Sequence, residues 1–206
     1  MSLLMSDTYK TITAPAEAVF TEKRSKFLAF AYPVETVDEV KAKVAELSKK
    51  YFDARHVCWA YILGADRTDF RANDNGEPSG TAGKPILGQI NSLELTNVLV
   101  AVVRYFGGIK LGTSGLIVAY RQAARDALNS ATIVELHETE LITFSYPYMA
   151  MNEVMKLTRG EGVEMVSSIF DNTCMMTLRV ERDRADGYRR RLADIDGVTL
   201  KQDQTD

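Results

Sequence analysis

The feature that most constrains the fold is one nearly unbroken apolar run, residues 97–106, with the sequence NVLVAVVRYF. Its side chains are mostly β-branched or aromatic, which favours an extended strand. Because apolar and polar residues do not alternate, such a strand must be covered on both faces. The run therefore predicts a central strand between two other layers. With 206 residues, the chain is long enough for one large core or two small ones.

Two strands and a helix are predicted before this run. Residues 27–34 and 57–63 are short aromatic and apolar segments, which is typical of strands. Between them, Thr36 and Glu39 have the spacing of a capping box. The apolar residues that follow recur at helical spacing, so we expect a helix over residues 37–51.

Two more helices are predicted next to glycine-rich segments. Pro85 is favourable at the start of a helix, because the N–H that it lacks would be unpaired there. We therefore expect a short helix over residues 86–93. The apolar spacing predicts a longer helix from Leu116 onward, and Thr113 or Ser114 is expected to cap it.

The last third of the chain has a different order of elements. Strands and helices follow one another as β-α-β-β-α-β, which is the ferredoxin-like arrangement. The predicted elements are strands 139–146, 163–170, 174–181 and 198–201, helices 148–159 and 183–195, and a hairpin turn at Asp171-Asn172-Thr173. We therefore predict an α+β protein with two domains, residues 1–136 and residues 137–206.

The helix predicted over residues 183–195 carries a stripe of basic residues. The stripe consists of Arg182, Arg184, Arg189, Arg190 and Arg191. Acidic residues, Asp183, Asp186 and Asp194, are interleaved with these arginines. A phosphate-binding face is one interpretation, but the mixture of charges favours a solvated helix with ion pairs.

Charge and composition restrict the possible functions. The net charge of −3 gives no overall attraction to nucleic acid, so any such binding needs a local patch. Two distant cysteines, Cys58 and Cys174, indicate a reducing compartment and no disulfide or zinc framework. No apolar run approaches the length of a membrane span. We expect a cytoplasmic protein with no membrane contact, metal or cofactor. Residues 1–4, ahead of a second methionine at Met5, are expected to be an addition to the natural sequence.

The glycine-rich stretch 74–90, with the sequence DNGEPSGTAGKPILGQI, raises the question of a phosphate loop. The Walker pattern requires a glycine five residues before Gly83 and a hydroxyl residue after Lys84. Those positions are Pro78 and Pro85, so the pattern fails. The second glycine-rich segment, residues 107–115, also lacks the spacing of a dinucleotide-binding fingerprint.

The second glycine-rich segment nevertheless lies between a strong strand and a helix, where free N–H groups favour anions. If both segments lie at one edge of the sheet, Lys84, Arg104 and Lys110 form a basic surface. Arg104 needs a partner because it lies in an apolar strand, and either Glu77 or an external anion would satisfy it. The alternative is that the glycines only serve tight packing and the lysines face water. Both interpretations stay open at this point.

His56 and Cys58 are two residues apart on one predicted strand. A metal site requires more ligands at suitable spacing, and neither His137 nor Cys174 supplies it. A cysteine–histidine nucleophile would require a close contact that a sequence does not establish. We therefore predict no catalytic residue and no metal ligand.

Four segments resemble the YigZ/IMPACT family. They are residues 74–87 (DNGEPSGTAGKPIL), 95–116 (LTNVLVAVVRYFGGIKLGTSGL), 20–27 (FTEKRSKF) and 56–61 (HVCWAY). The resemblance covers roughly residues 17–130, and the C-terminal part looks like the smaller domain of bacterial members. It implies an N-terminal domain akin to domain IV of elongation factor G and a C-terminal domain akin to domain V. It also implies a link to translation, because eukaryotic relatives regulate translation by competing for a partner of the kinase that responds to amino-acid starvation.

The expected function is that of a translation-linked regulatory or binding protein that contacts the ribosome, RNA or a regulatory protein partner. The candidate surface consists of Glu77, Ser79, Gly80, Gly83, Lys84, Arg104, Gly107, Gly108, Lys110, Gly112 and Ser114. Two alternatives remain open. One is a small-molecule enzyme that uses the glycine-rich groove, and the other is a protein-interaction module without nucleic-acid contact.

Overall fold

The computed structural model describes residues 8–171 and 173–201. The chain divides into two compact units, Met1–Leu136 and His137–Asp206. Both units mix helices with strands, and each has its own apolar core. Two predictions concern residues outside the described ones: the expected addition at residues 1–4, and Asn172 of the expected hairpin turn.

A five-stranded antiparallel sheet forms the centre of the first unit. Its strands are β2 (Ala16–Glu22), β3 (Ser25–Pro33), β4 (His56–Leu63), β5 (Asp69–Asn73) and β6 (Val98–Tyr105), and their order is β2-β3-β6-β4-β5. Strand β6 is central, pairs with β3 and β4, and is buried from Val98 through Arg104. The prediction of a strand that is covered on both faces is confirmed.

Helices cover both faces of this sheet. Helix α1 (Val37–Lys50) buries Val40 and Leu47 against one face. Helices α2 (Gly83–Ser92) and α3 (Gly112–Asn129) pack on the other face, in the largest core cluster. The predicted capping box of α1 is present, because the Glu39 N–H donates to Thr36 Oγ1 and the Thr36 N–H donates to Glu39 Oε2.

The start of α3 differs from the prediction. The helix begins at Gly112 after an N-cap at Leu111, and no side chain caps it. Thr113 and Ser114 therefore lie inside the first turn, so the prediction that one of them caps the helix was wrong. Leu111 packs against the core, and this apolar anchor fixes where the chain enters the helix. Helix α2 also begins two residues before Pro85, which lies in its first turn.

Four strands of the first unit were not predicted from the sequence. Strands β1 (Thr8–Ile12) and β7 (Ile133–His137) pair in a two-stranded sheet, while β2 and β5 form the edges of the five-stranded sheet. Strand β5 has the polar sequence DFRAN and only exposed or half-buried residues. Backbone hydrogen bonds to the neighbouring strand hold such segments in the sheet, and two apolar residues in a five-residue segment are too weak a pattern to reveal β5.

The second unit has the predicted β-α-β-β-α-β order. Its elements are β8 (Thr139–Pro147), a 3-10 turn (Tyr148–Ala150), α4 (Met151–Leu157), β9 (Val163–Ile169), β10 (Thr173–Glu181), α5 (Arg182–Ala193) and β11 (Thr199–Leu200). The strand order β11-β8-β10-β9 is the ferredoxin-like order. Phe144, Met176 and Leu192 are fully buried in its core.

Three arginines of helix α5, Arg182, Arg184 and Arg189, form ion pairs. Of the interleaved aspartates that were expected as partners, only Asp186 takes part in an ion pair among the described residues. Arg182 pairs with Glu138 and Glu140, and Arg189 pairs with Glu140. Most of the partners lie outside the helix: Glu140 is on β8, which packs next to α5, and Glu138 directly precedes that strand. Among the helices of the described residues, none is long and apolar enough to cross a membrane.

Candidate functional site

A cavity of about 760 Å³ lies in the first unit where the end of β6, the start of β4 and the start of α3 meet. Four basic side chains line it: Arg55, His56, Arg104 and Lys110. Two carboxylates, Asp53 and Glu77, line it as well. The antiparallel register of β4 and β6 explains the cluster, because it places His56 directly opposite Arg104. Residues distant in sequence therefore share one cavity of ligand-binding size.

Arg104 is held by a buried carboxylate. Its Nη1 donates to Glu77 Oε1 at 2.6 Å, and the Tyr120 hydroxyl donates to the same oxygen at 2.8 Å. The Arg104 guanidinium also lies 5.6 Å from the ring centre of Phe27 and 5.8 Å from that of Phe106. The expectation that Arg104 would need a partner is confirmed, and Glu77 is that partner.

The hydrogen-bond network continues from Tyr120 to Cys58. The Cys58 thiol lies 3.3 Å from the Tyr120 hydroxyl oxygen and 2.9 Å from the carbonyl oxygen of Asp74. Burial is the main reason that the pKa of Cys58 is raised to about 12, and the Glu77 and Asp74 carboxylates raise it further. Burial also raises the pKa of the Tyr120 hydroxyl. Cys58 is therefore a neutral packing residue at physiological pH and not an activated nucleophile.

His56 makes a contact other than the one that a nucleophile pair requires. Its Nδ1 lies 2.8 Å from the carbonyl oxygen of Asn75. A carbonyl oxygen only accepts hydrogen bonds, so Nδ1 carries the proton and donates it. In the neutral imidazole, Nε2 is then an acceptor, and His56 lines the cavity.

The first glycine-rich loop folds around its own carboxylate. Oδ2 of Asp74 accepts the N–H of Gly80 at 2.8 Å, and Oδ1 accepts those of Ala82 at 3.0 Å and Gly83 at 2.8 Å. Burial raises the pKa of Asp74, but these three N–H groups and the charge of Lys84 lower it by more. The N–H groups that a phosphate loop would offer to a ligand are therefore occupied by Asp74.

The second glycine-rich segment leaves its helix terminus uncapped. Gly112 has a φ of +73°, a conformation that favours glycine, and it begins the 18-residue helix α3. No side chain caps that terminus, while Lys110 lies next to it and is exposed. Gly112 and Thr113 line the cavity. The positive end of the helix dipole therefore adds to the basic side chains and favours an anion.

The structure places four residues of the sequence-derived surface in the cavity lining: Glu77, Arg104, Lys110 and Gly112. The other seven lie outside that lining: Ser79, Gly80, Gly83, Lys84, Gly107, Gly108 and Ser114. The side chain of Lys84 passes close to Gly80, because a Cβ built on Gly80 would lie 3.6 Å from Lys84 Cδ. Gly107 packs against the backbone of Arg24, since a Cβ added at Gly107 would lie 2.0 Å from the carbonyl carbon of Arg24.

The sequence-derived surface lacked nine residues of the lining: Asp53, Arg55, His56, Pro78, Tyr105, Phe106, Leu111, Thr113 and Leu116. The Tyr105 hydroxyl donates to Asp53 Oδ1 at 2.7 Å, and this hydrogen bond is the main reason that the pKa of Tyr105 is raised to about 12. Phe106 is 55% exposed although it follows a buried strand. An aromatic residue directly before two glycines was the signal that could have identified it.

No metal site is present within residues 8–171 and 173–201, where no group of three or more His, Cys, Asp or Glu side chains could hold an ion. The fold and cavity define an α+β protein with a basic, partly aromatic cavity in its first unit. Neither feature alone assigns a family, but comparisons with known proteins do.

The Impact N-terminal domain family matches residues 23–128. IMPACT family member YigZ of Escherichia coli is 30% identical over 190 residues, which cover 91% of this chain and 93% of that protein. Protein IMPACT of Rattus norvegicus is 37% identical over 98 residues, which cover 46% of this chain and 31% of that protein. A crystal structure of a hypothetical protein matches with a TM-score of 0.74 at 28% identity, over 97% of this chain and 98% of that one. The chain belongs to the IMPACT family.

Proposed function

We propose that this protein is a translation-linked regulatory or binding protein and that the cavity of its first unit is the contact site for RNA or the ribosome. The observation that supports this function is that Arg55, His56, Arg104 and Lys110 line one cavity together with the uncapped start of α3. Such a site recognises phosphate groups by charge and by free N–H groups. Membership of the IMPACT family supports the link to translation, which the sequence resemblance implies for eukaryotic relatives.

The domain likeness that the resemblance implies fits the same proposal. Domains IV and V of elongation factor G belong to a factor that acts on the ribosome, and their counterparts here would be the two units of the chain. Likeness of fold does not establish function, whereas the basic cavity is a feature of this chain's own residues. A role in translation would place the protein in the cytoplasm, as the sequence predicts.

The site must act locally, because the whole chain carries a net charge of −3. We therefore expect RNA binding that weakens steeply as salt is added, since each phosphate contact releases counterions. The contribution of Lys84 is part of the proposal. It lies outside the cavity lining, and its side chain is exposed at the start of α2.

Co-sedimentation with ribosomes and recovery of RNA from lysate, each at two salt concentrations, test this function. We expect the unmodified protein to recover ribosomal RNA at low salt. The double variant Lys84→Ala/Lys110→Ala should recover less, whereas Lys49→Ala should recover as much as the unmodified protein. Lys49 is an exposed lysine of α1, on the opposite face of the sheet. Recovery of a defined protein without RNA or ribosomes would overturn the proposal in favour of a protein-interaction module.

A further inference from the structure

We propose that the cavity binds one nucleotide unit of a single RNA strand, with its phosphate at the start of α3 and its base against Phe106. This inference rests on the proposed function and specifies the ligand of the same site. Three independent features carry it: the distribution of unpaired positive charge, one fixed exposed aromatic ring, and the size of the cavity.

Within the described part of the chain, two cations of the lining are unpaired: Lys110, next to the start of α3, and Arg55, directly before β4. Both carboxylates of the lining already accept hydrogen bonds. Glu77 accepts from Arg104 and Tyr120, and Asp53 accepts from the Tyr105 hydroxyl. Arg55 and Lys110 are exposed, and neither forms an ion pair with another of the described residues. The three permanent cations of the lining, Arg55, Arg104 and Lys110, therefore exceed its two carboxylates by one positive charge. This excess, next to free N–H groups, suits a group with the charge of a phosphate.

Arg104 provides a separate sign of a missing acceptor. Its side chain is 9% exposed, and its Nε has no hydrogen-bond partner among the described residues. Of the Arg104 nitrogens, only Nη1 donates to Glu77. Buried polar groups are almost always hydrogen-bonded, so the guanidinium is incompletely paired among the described residues. Nε itself is enclosed, and a ligand would meet Arg104 through the part of its side chain that lines the cavity.

Phe106 supplies a platform for a base. Its ring is 55% exposed and lines the cavity, while the Arg104 guanidinium lies 5.8 Å from its centre. This contact restrains the ring without covering it. Proteins that bind single strands stack bases on such exposed aromatic side chains, and a basic groove beside the ring holds the phosphates.

His56 adds a further polar group to the lining of the cavity. Because Nδ1 donates to the Asn75 carbonyl, Nε2 of the neutral ring is an acceptor for a ribose hydroxyl or a base N–H. The cavity volume of about 760 Å³ lies in the range of small-molecule sites, well above what a bare phosphate needs. A phosphorylated nucleoside uses all of these features, whereas inorganic phosphate uses only the cations and the helix terminus.

The test measures binding of four probes to the full chain: labelled hexa-adenylate RNA, AMP, adenosine and inorganic phosphate. We expect hexa-adenylate to bind most tightly and AMP to bind less tightly. Adenosine and inorganic phosphate should each bind more weakly than AMP. Equal affinity for AMP and hexa-adenylate would overturn the assignment to an RNA strand in favour of a free nucleotide. Equal affinity for AMP and phosphate would show that the base makes no contact.

Two variants with matched controls locate the ligand. Phe106→Ala should weaken hexa-adenylate binding by about 5- to 100-fold, the range for loss of one stacked base. Phe70→Ala, which removes a ring of similar exposure from the edge strand β5, should not. Lys110→Ala should reduce the slope of log affinity against log salt by about one, while Lys49→Ala should leave the slope unchanged. All four side chains are exposed, and circular dichroism melting checks that each variant folds.

The outcomes separate this inference from the proposed function. Binding of hexa-adenylate that neither Phe106→Ala nor Lys110→Ala alters would overturn the nucleotide site but leave an RNA-binding function in place. Absence of binding to every probe, together with no recovery of RNA or ribosomes from lysate, would overturn both.

Discussion

Nη1 of Arg104 lies 2.6 Å from Oε1 of Glu77, and the two side chains are only 9% and 3% exposed. The pair joins the central strand β6 to the first glycine-rich loop. The Tyr120 hydroxyl donates to the same carboxylate oxygen and links the pair to α3. One buried carboxylate therefore holds three parts of the first unit together at the wall of the candidate site.

Removal of one partner of this pair should be costly. Glu77→Gln or Arg104→Met should each lower the free energy of unfolding by about 3–5 kcal/mol, because each leaves an uncompensated buried charge or acceptor. The double variant should lose less than the sum of the two. Urea denaturation of the four proteins measures the coupling. Strictly additive losses would contradict a direct interaction.

Asp74 should stabilise the start of α2 in a pH-dependent way. Asp74→Asn removes the charge that accepts three N–H groups, and we expect a loss of about 1–2 kcal/mol at neutral pH. Because the net shift lowers the pKa of Asp74 in the folded state, its contribution is complete above the unfolded value of about 3.9. It disappears as the pH falls through the folded value.

Denaturation at a series of pH values below neutrality measures this contribution. The difference in stability between the unmodified protein and Asp74→Asn should shrink as the solution becomes acidic. Asp38→Asn is the control, since Asp38 is an exposed residue in the first turn of α1. It should cost well under about 1 kcal/mol. A difference for Asp74→Asn that stays constant down to strongly acidic pH would show that charge is not the reason.

Cys58 should not react with thiol reagents in the native protein. Its pKa of about 12 leaves almost no thiolate at pH 8, and the side chain is fully buried. Labelling with iodoacetamide, resolved by peptide mass spectrometry, should modify Cys58 only after urea unfolds the chain. Rapid native labelling at Cys58 would contradict both the burial and the raised pKa.

Two glycines should respond to alanine with opposite signs. Gly107→Ala would place a Cβ 2.0 Å from the backbone of Arg24, so we expect a loss of about 3 kcal/mol or more. Gly88 lies inside α2, where no atom lies within 4 Å of an added Cβ. Gly88→Ala should therefore stabilise the protein by about 0.5–1 kcal/mol through helix propensity. Thermal melting of both variants decides the matter, and equal shifts would refute the packing argument.

The two compact units should fold separately. Each has a core cluster made only of its own residues. Chains of residues 1–136 and 137–206, produced independently, should each give a cooperative melting transition. If either piece remains unfolded while the full chain melts as a single transition, the proposed two-domain organisation is wrong.

The sequence alone predicted the elements whose signals are local. The apolar run at residues 97–106 required a strand covered on both faces, and β6 is such a strand. Thr36 and Glu39 predicted the start of α1, because a capping box is made by residues three apart. The edge strand β5 was missed because it is short and has only two apolar residues, Phe70 and Ala72, which is too weak a pattern, and its pairing with β4 fixes it in the sheet.

Only the tertiary structure decided what the glycine-rich loops do. The sequence placed Asp74 ahead of a glycine-rich loop that fails the phosphate-loop pattern without saying what the loop does, and the fold turns that carboxylate inward onto the loop's own N–H groups. It likewise offered Arg104 two possible partners, and packing brought in Glu77, which is 27 residues away. The position of Phe106 beside Arg104 at the cavity has the same origin. Local spacing determines helices and strands, whereas contacts between distant side chains depend on how those elements pack.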